Sequence, residues 1–239
     1  MAKLDLRFLG SGNAFAAQGR AFSSFLLNDR YLFDCGPTVL QQLAKAGISS
    51  NDIETVFISH YHADHFFGLP FLLLDAKYGG RTKDLTIVGP PGIEARTRSL
   101  LELGYPGVVD SANYGRHYIE LRDGFCDHVG ELNLTAARVH HVDEFDCFAM
   151  RAEIEGRSLV YSGDTTLCDG LLRLVVGAEV IVTECSCDNV PVHLGPTGVE
   201  AVARHAPGAK IIVTHLDGLK HPTDFDGLIV AEDLALYSF

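Results

Sequence analysis

Short β-rich runs alternate with runs of helical period along the first part of the chain. Strands are predicted over residues 4–10, 25–36 and 55–60, where branched and aromatic side chains dominate. The second run is a hairpin that turns at Asn28-Asp29. The following run, PTVLQQLAKAG, places apolar residues at helical spacing and Gly47 where a helix can end. The chain therefore alternates strand and helix from its start.

The second half of the chain repeats this alternation. Its strands are predicted over residues 132–141, 148–164, 180–184 and 210–215, and helices are predicted over residues 92–103, 167–176 and 197–205. The strand run 148–164 turns at Glu155-Gly156. Because no linker rich in Pro, Gly and Ser separates the halves, we predict an α/β fold, one domain over residues 1–239, with two mixed sheets and helices on their outer faces.

Composition and charge narrow the class of protein. The 239 residues are 47% hydrophobic, which is enough for a sizeable core, and the formal net charge is −12 at pH 7. An acidic surface repels phosphate backbones, so a long nucleic acid is not an expected partner. Neither a signal peptide nor an apolar run of membrane-spanning length is visible, and we expect a cytoplasmic protein that does not enter a membrane.

The cysteines show no regular spacing. Six are present: Cys35, Cys126, Cys147, Cys168, Cys185 and Cys187. The close pair Cys185 and Cys187 fits neither the common redox motif nor the usual structural zinc knuckle. We therefore expect buried or partly buried thiols in a reducing compartment.

Candidate metal ligands are concentrated after the third strand. The stretch VFISHYHADHFFGLP, residues 56–70, contains His60, His62, Asp64 and His65, an unusual density for solvated surface. Further candidates occur where later strands stop, at His140 or His141, Asp164 and His215. Strand ends in layered folds meet at one edge of the sheets, so these residues can converge. The remaining histidines have no visible partner and are expected at the surface or at the rim of the site: His117, His128, His205 and His221.

Two neighbouring divalent metals need neutral imidazoles and carboxylates, one of which bridges them. One site would hold His60, His62 and one histidine of the His140-His141 pair. The other would hold Asp64, His65 and His215. Asp164 would lie between the two sites. The ligand types suit Zn²⁺, Mn²⁺ and iron alike, and we expect two divalent ions with Zn²⁺ as the first choice.

The motif HYHADH resembles the His-x-His-x-Asp-His signature of the metallo-β-lactamase superfamily. FLGSGNAF, YLFDCG, HADHFFGLPFLL and YSGDT resemble, in order, the ribonuclease Z-like branch of that superfamily. The resemblance covers nearly the whole chain and implies a four-layer αββα sandwich with two mixed β-sheets. It also favours His141 over His140 as the ligand, because His141 matches the family's third motif, and it is compatible with a homodimer.

The same resemblance implies catalytic roles for residues outside the ligand motif. Glu184 and His193 match a Glu and a His that lie beside the metals in ribonuclease Z-like proteins. His193 would donate a proton to the leaving oxygen, with Glu184 orienting its other nitrogen. Within the ligand motif, the chemistry of a metal pair gives Asp64 a second expected role, that of orienting the attacking water. Cys185-Ser186-Cys187 departs from the neighbours usual in that branch.

Two adjacent divalent ions activate water for attack on a phosphorus or carbonyl centre. We therefore predict a metal-dependent hydrolase, first a phosphodiesterase for small phosphodiesters or nucleotides. The alternative is a carboxylic ester, lactone or thioester hydrolase. Transfer-RNA 3′ processing is less favoured, because no basic glycine-rich arm is visible between His65 and Asp164. A di-iron oxygen-reducing protein would need a flavin domain for which there is no room, and a non-catalytic scaffold would not need seven ligands.

Overall fold

The structure, a computed structural model, describes residues 3–108, 113–218 and 227–239. His221, one of the histidines expected at the surface or rim, lies outside these ranges. Within them the strands form two sheets of seven strands each. The two mixed sheets predicted from the sequence are confirmed.

The first sheet contains strands from the beginning and the end of the chain. Its members are β1 (Asp5–Gly10), β2 (Ser24–Leu27), β3 (Tyr31–Phe33), β4 (Thr55–Phe57), β5 (Leu85–Gly89), β6 (Arg116–Glu120) and β14 (Leu236–Ser238). They lie in the order β14-β1-β2-β3-β4-β5-β6. The strands are antiparallel from β14 to β3 and parallel from β3 to β6.

The second sheet is built in the same way. Its members are β7 (Phe125–Val129), β8 (Leu132–Val139), β9 (Cys147–Ile154), β10 (Arg157–Tyr161), β11 (Val180–Glu184), β12 (Lys210–Thr214) and β13 (Leu228–Val230). They lie in the order β13-β12-β11-β10-β9-β8-β7. Strands β7 to β10 are antiparallel, and β10 to β13 are parallel.

Three apolar clusters separate the layers. Phe25, Phe33 and Phe148 belong to the cluster between the sheets. On the outer face of the first sheet lie α1 (Val39–Ala46), α2 (Ala63–Phe66), α3 (Leu69–Tyr78) and α4 (Ile93–Gly104), and on that of the second sheet lie α5 (Asp169–Val175) and α6 (Pro196–His205). Because burial of these faces removes apolar surface from water, it is the main force that stabilises the stack. The layer order is αββα, as predicted.

Some side chains and elements differ from expectation. Cys126 is exposed on β7, so the prediction of buried or partly buried thiols is wrong for it. The prediction of thiols holds for all six cysteines, none of which is in a disulfide in the described part of the chain. Helix α3 lacks an amphipathic pattern, because its LPFLLLDAKY run is apolar on several sides, and the periodicity did not predict it. In the part of the chain that the structure describes, no helix is long and apolar enough to cross a membrane.

Candidate metal centre

The predicted ligands lie at one edge of the two sheets, most of them in loops just after strands and two of them, Asp64 and His65, in the short helix α2. The strand predictions ran through His60, His141, Asp164 and His215, but β4, β8, β10 and β12 end one to three residues earlier. The backbone gives the physical reason at two of these ends. Gly163 has φ +57° and His215 has φ +54°, a left-handed conformation that a strand does not contain. The lack of a side chain at Gly163 also lets this turn lie close to Ser59, because a Cβ there would be 2.8 Å from Ser59 Cβ.

Three histidines form the first group. His62 Nδ1 lies 3.0 Å from both His60 Nε2 and His141 Nε2. The outer nitrogens are engaged elsewhere: His60 Nδ1 donates to Ser59 Oγ at 2.9 Å, and His141 Nδ1 donates to the Val192 carbonyl at 2.7 Å. When these imidazoles are neutral, the outer hydrogen bonds leave the inner nitrogens unprotonated. The group therefore presents lone pairs to one point.

Asp64, His65 and His215 form the second group. Asp64 Oδ2 lies 3.2 Å from His65 Nε2 and 3.3 Å from His215 Nε2. The buried Asp164 carboxylate lies between the groups. Its Oδ2 is 3.4 Å from His65 Nε2 and 3.3 Å from His215 Nε2, and it is also 3.9 Å from His60 Nε2 and 3.8 Å from His141 Nε2. One carboxylate oxygen thus faces ligands of both groups.

The pKa shifts of several predicted ligands favour the protonation states that bind a divalent cation. Burial lowers the pKa of His60 well below its ordinary value and also lowers the pKa of His62 and His141. Burial opposes ionisation of Asp164, but His215 and His65 outweigh it and hold the pKa of that carboxyl well below its usual range. Neutral imidazoles beside ionised carboxylates are the ligand forms that transition metals bind.

The surroundings of His65 further test whether this site suits a divalent metal ion. His65 Nε2 is buried, and although Asp64 Oδ2 lies 3.2 Å away, no described atom meets it with hydrogen-bond geometry. Burial lowers the pKa of His65, but the carboxylates of Asp164, Asp64 and Asp34 outweigh burial and raise it well above the ordinary value. The centre therefore attracts positive charge, and a divalent cation would replace the proton at Nε2. The residues of both ligand groups are therefore suited to binding divalent metal ions.

Asp34 is a site residue that the sequence did not single out. It is fully buried directly after β3, with φ +57°. Its Oδ1 accepts from the Ser59 N–H at 2.7 Å, and its Oδ2 accepts from Ser59 Oγ at 2.8 Å, His65 Nδ1 at 2.6 Å and Tyr161 Oη at 2.6 Å. Asp34 thereby fixes the ring of His65. Its position at a strand end, within the recognised YLFDCG motif, was the signal available.

Replacing Asp34 by asparagine should weaken metal binding by about 10- to 100-fold, because the His65 ring loses its anionic acceptor. Titration calorimetry with Zn²⁺ on the metal-stripped protein measures this. Tyr161→Phe is the matched control, since it removes one donor to Asp34 but keeps the carboxylate on His65. An unchanged affinity in folded Asp34→Asn protein would show that Asp34 does not orient this ligand.

Glu184 and His193 lie beside the ligand groups. Glu184 ends β11, and its Oε2 accepts from His193 Nδ1 at 2.7 Å. His193 Nδ1 is 3.9 Å from Asp164 Oδ2, and 19% of the His193 side chain is exposed. Burial opposes the charged imidazolium, but the hydrogen bond to Glu184 outweighs it and raises the pKa of His193 to about 9. Burial, with Asp164, raises the pKa of Glu184.

His140 lies on the surface, although the histidine beside it belongs to the first group. The His140 side chain is exposed, and its carbonyl accepts from the Thr166 N–H at 2.7 Å. Among the histidines expected at the surface or rim, His117 pairs with Asp84 at 2.9 Å in an exposed position. His205 Nδ1 donates to the Ala201 carbonyl at 2.9 Å.

A cleft of about 680 Å³ opens onto the two groups. Its polar surface includes Asp64, Asp164, His193 and His215. The remaining lining residues are mostly small or apolar: Asn13, Ala14, Phe15, Ala17, His62, Ala63, Ser186, Cys187, Val190, Val192 and Asp217. No lysine or arginine is among the described residues that line it. Cys187 Sγ donates to Asp217 Oδ2 at 2.7 Å, whereas Cys185 is buried, which raises the pKa of its thiol to about 12.

Several known proteins resemble this chain in sequence or fold. The Ribonuclease Z of Methanothermobacter thermautotrophicus is 26% identical over 269 positions, covering 89% of this chain and 86% of the relative. The structure of human tRNase Z, short form, superposes with a TM-score of 0.80 at 23% identity and covers 98% of both chains. YhfI of Bacillus subtilis, a metallo-β-lactamase fold protein, superposes with a TM-score of 0.79 at 20% identity and covers 100% of both chains.

These similarities confirm the resemblance identified from the motifs. The chain is a metal-dependent hydrolase with the metallo-β-lactamase fold and is similar to ribonuclease Z proteins. The family model described as Anti-Pycsar protein Apyc1 matches residues 4–217. Since this match spans most of the 239 residues, the chain belongs to the Anti-Pycsar protein Apyc1 family.

Proposed function

We propose that this protein is a phosphodiesterase that uses two divalent cations to hydrolyse small phosphodiesters or nucleotides. The observation that most directly supports this proposal is the position of Asp164. Its Oδ2 lies within 3.9 Å of nitrogens from both ligand groups and faces the open cleft. His60, His62 and His141 would hold one ion, Asp64, His65 and His215 would hold the other, and Asp164 would bridge them. Zn²⁺ is the first choice, with Mn²⁺ or iron as alternatives.

When bound, the ions would activate a water molecule and offset negative charge at the attacked phosphorus. The protein would supply orientation and proton transfer. Asp64 lines the cleft and would orient the attacking water. Glu184 holds His193 Nδ1 at 2.7 Å, so His193 Nε2 is the nitrogen that would deliver a proton to the leaving oxygen. Protonation by a general acid accelerates the reaction most when the leaving group is a poor one, such as the alkoxide of a ribose oxygen.

The cleft supports a small substrate. A volume of about 680 Å³ suits a ligand of nucleotide size. The absence of lysine and arginine from the described lining gives no support for a run of backbone phosphates. The alignment with the Methanothermobacter relative spans 269 positions but uses 89% of this shorter chain, so that relative carries residues that this chain lacks. The described residues between His65 and Asp164 form α3, α4, strands β5 to β10 and their connections, which supports the view that no RNA-gripping arm is inserted.

The test combines metal content with a comparison of substrates. Elemental analysis should find about two ions per chain. The loaded enzyme should hydrolyse bis(p-nitrophenyl) phosphate, a phosphodiester, and leave a lactone and a thioester largely intact, while metal-stripped protein should hydrolyse none of them. If the protein holds two ions but cleaves only the lactone or the thioester, the alternative hypothesis of a carboxylic ester, lactone or thioester hydrolase would replace the proposal. Faster cleavage of a transfer-RNA precursor would point to RNA processing, and protein without metal would remove the basis of the proposal.

A further inference from the structure

Phe15 is the most exposed of the large hydrophobic residues in the described chain. Its exposed fraction is 88%, and it nevertheless lines the cleft over the ligand groups. A single exposed phenylalanine needs no special explanation when it lies on open surface. This one lies at the mouth of the catalytic cleft, where an exposed aromatic face can contact whatever enters.

The loop that carries Phe15 has a defined backbone conformation. Ala16 and Gln18 have φ values of +48° and +57°, left-handed conformations that cost free energy in residues other than glycine. The Phe15 N–H donates to Asn13 Oδ1 at 3.1 Å, and the Ala16 N–H donates to the Asn13 carbonyl at 2.9 Å. Gln18 Nε2 donates to the Gly218 carbonyl at 3.2 Å. Local and long-range hydrogen bonds therefore fix the loop that presents the ring.

The base of the loop is anchored as well. Asp233 Oδ1 accepts from the Ser11 N–H at 2.9 Å and from Ser11 Oγ at 2.7 Å, and Asp233 Oδ2 accepts from the Ala21 N–H at 2.7 Å. The carboxylate thus ties both ends of the loop to the segment between β13 and β14. Because the backbone of the loop is already ordered, little backbone entropy is lost when a ligand packs against the Phe15 ring.

The other cleft walls suit a flat, partly apolar ligand. Ala14, Ala17, Val190 and Val192 offer small apolar contacts, and Asp217 adds a carboxylate to the lining. A heterocyclic base has an apolar face and a polar edge, so it matches a wall of this kind. Every base has such a face, and stacking on an aromatic residue does not require a particular base.

We propose that Phe15 is a substrate-binding residue on which the heterocyclic base of a nucleotide stacks, while the phosphodiester group lies at the ligand groups below. This inference rests on the proposed function and names its substrate class more closely. It also assigns a role to a residue outside the metal ligands and the Glu184-His193 pair. Specificity for nucleotides over simple diesters would then come from this loop.

The experiment compares ligands with and without a base. The substrates are a nucleoside 3′,5′-cyclic phosphate and the matched cyclic phosphate of methyl riboside. The equilibrium ligands, titrated into metal-loaded protein, are a nucleoside 5′-monophosphate and ribose 5-phosphate. Phe15→Leu should lower kcat/KM for the base-bearing substrate and weaken the nucleotide by about 10- to 100-fold, with the kinetic loss in KM. Values for the base-free ligands should not change.

Two variants complete the design. Phe15→Trp keeps an aromatic face and should retain the preference for the base. Tyr78→Leu removes another exposed aromatic residue, which is 71% exposed and does not line the cleft, and should behave as wild type. Both substitutions are at exposed positions, so loss of folding is not expected to obscure the result.

The outcomes separate the inference from the function on which it rests. Wild-type protein that hydrolyses neither cyclic phosphate would contradict the proposed function. In that case, a loss of nucleotide binding confined to Phe15→Leu would still support base stacking. Equal effects of Phe15→Leu on ligands with and without a base, or no effect on either, would overturn the inference. A change in oligomeric state with equal effects on both ligands would instead assign Phe15 to the expected homodimer contact.

Discussion

Replacing Asp164 by alanine should abolish hydrolysis, with a fall in kcat of about 10⁴-fold or more, which corresponds to several kcal/mol of lost transition-state stabilisation. Asp164 Oδ2 is the oxygen that lies within 3.9 Å of both ligand groups. Without it, the two ligand groups lose the carboxylate that lies between them. The measurement is turnover of bis(p-nitrophenyl) phosphate together with elemental analysis of each variant.

Asp64→Ala makes this prediction more specific. Asp64 contacts His65 and His215 but belongs to the second group alone, so its loss should abolish hydrolysis while one ion is retained. Asp164→Ala should reduce the content of both ions. Glu144→Ala is the control, because Glu144 is an exposed carboxylate three residues beyond His141. Full activity in either aspartate variant would contradict the mechanism with two metals.

Replacing His193 by glutamine should lower kcat by about 10²- to 10⁴-fold for substrates whose leaving group is an alkoxide, because general acid catalysis is lost. The loss should be smaller for p-nitrophenolate, which leaves without a proton. Metal content should be unchanged, since the seven predicted ligands remain. Parallel kinetics on a ribose cyclic phosphate and on bis(p-nitrophenyl) phosphate measure the difference.

Glu184→Gln tests the positioning of His193. The amide can still contact His193 Nδ1, but it lacks the charge that raises the pKa of this imidazole. The variant should show the same dependence on leaving group as His193→Gln, with a smaller loss. Equal losses for alkoxide and p-nitrophenolate substrates in His193→Gln would mean that His193 positions the substrate or the water and does not protonate the leaving oxygen.

The parts of the site that were predictable are those encoded locally. His60, His62, Asp64 and His65 lie within six positions, and their spacing is a motif in itself. More distant residues could be proposed because strand ends meet at one edge. Thus the pattern of apolar runs, which gives the ends of β8, β10 and β12 to within about three residues, also located His141, Asp164 and His215.

What the sequence did not predict depends on three-dimensional contacts. Asp34 accepts from His65, 31 positions away, and from Tyr161, 127 positions away, and no local pattern records either contact. Phe15 belongs to the FLGSGNAF motif, but its exposure beside the ligand groups depends on how the loop folds against distant parts of the chain. Strands β6 and β7 also lacked a predictable alternation, because their RHYIE and FCDHV runs are largely polar.

Asp34 also limits how this protein can change during evolution. The carboxylate that orients His65 is the acceptor for Ser59, beside the first sheet, and for Tyr161, at the end of a strand of the second. A lineage under no selection for hydrolysis could still not lose Asp34 freely, because buried donors from both sheets would be left unpaired. Drift toward an inactive descendant would therefore begin at exposed positions such as Phe15, and the orientation of His65 would persist after the activity itself had gone.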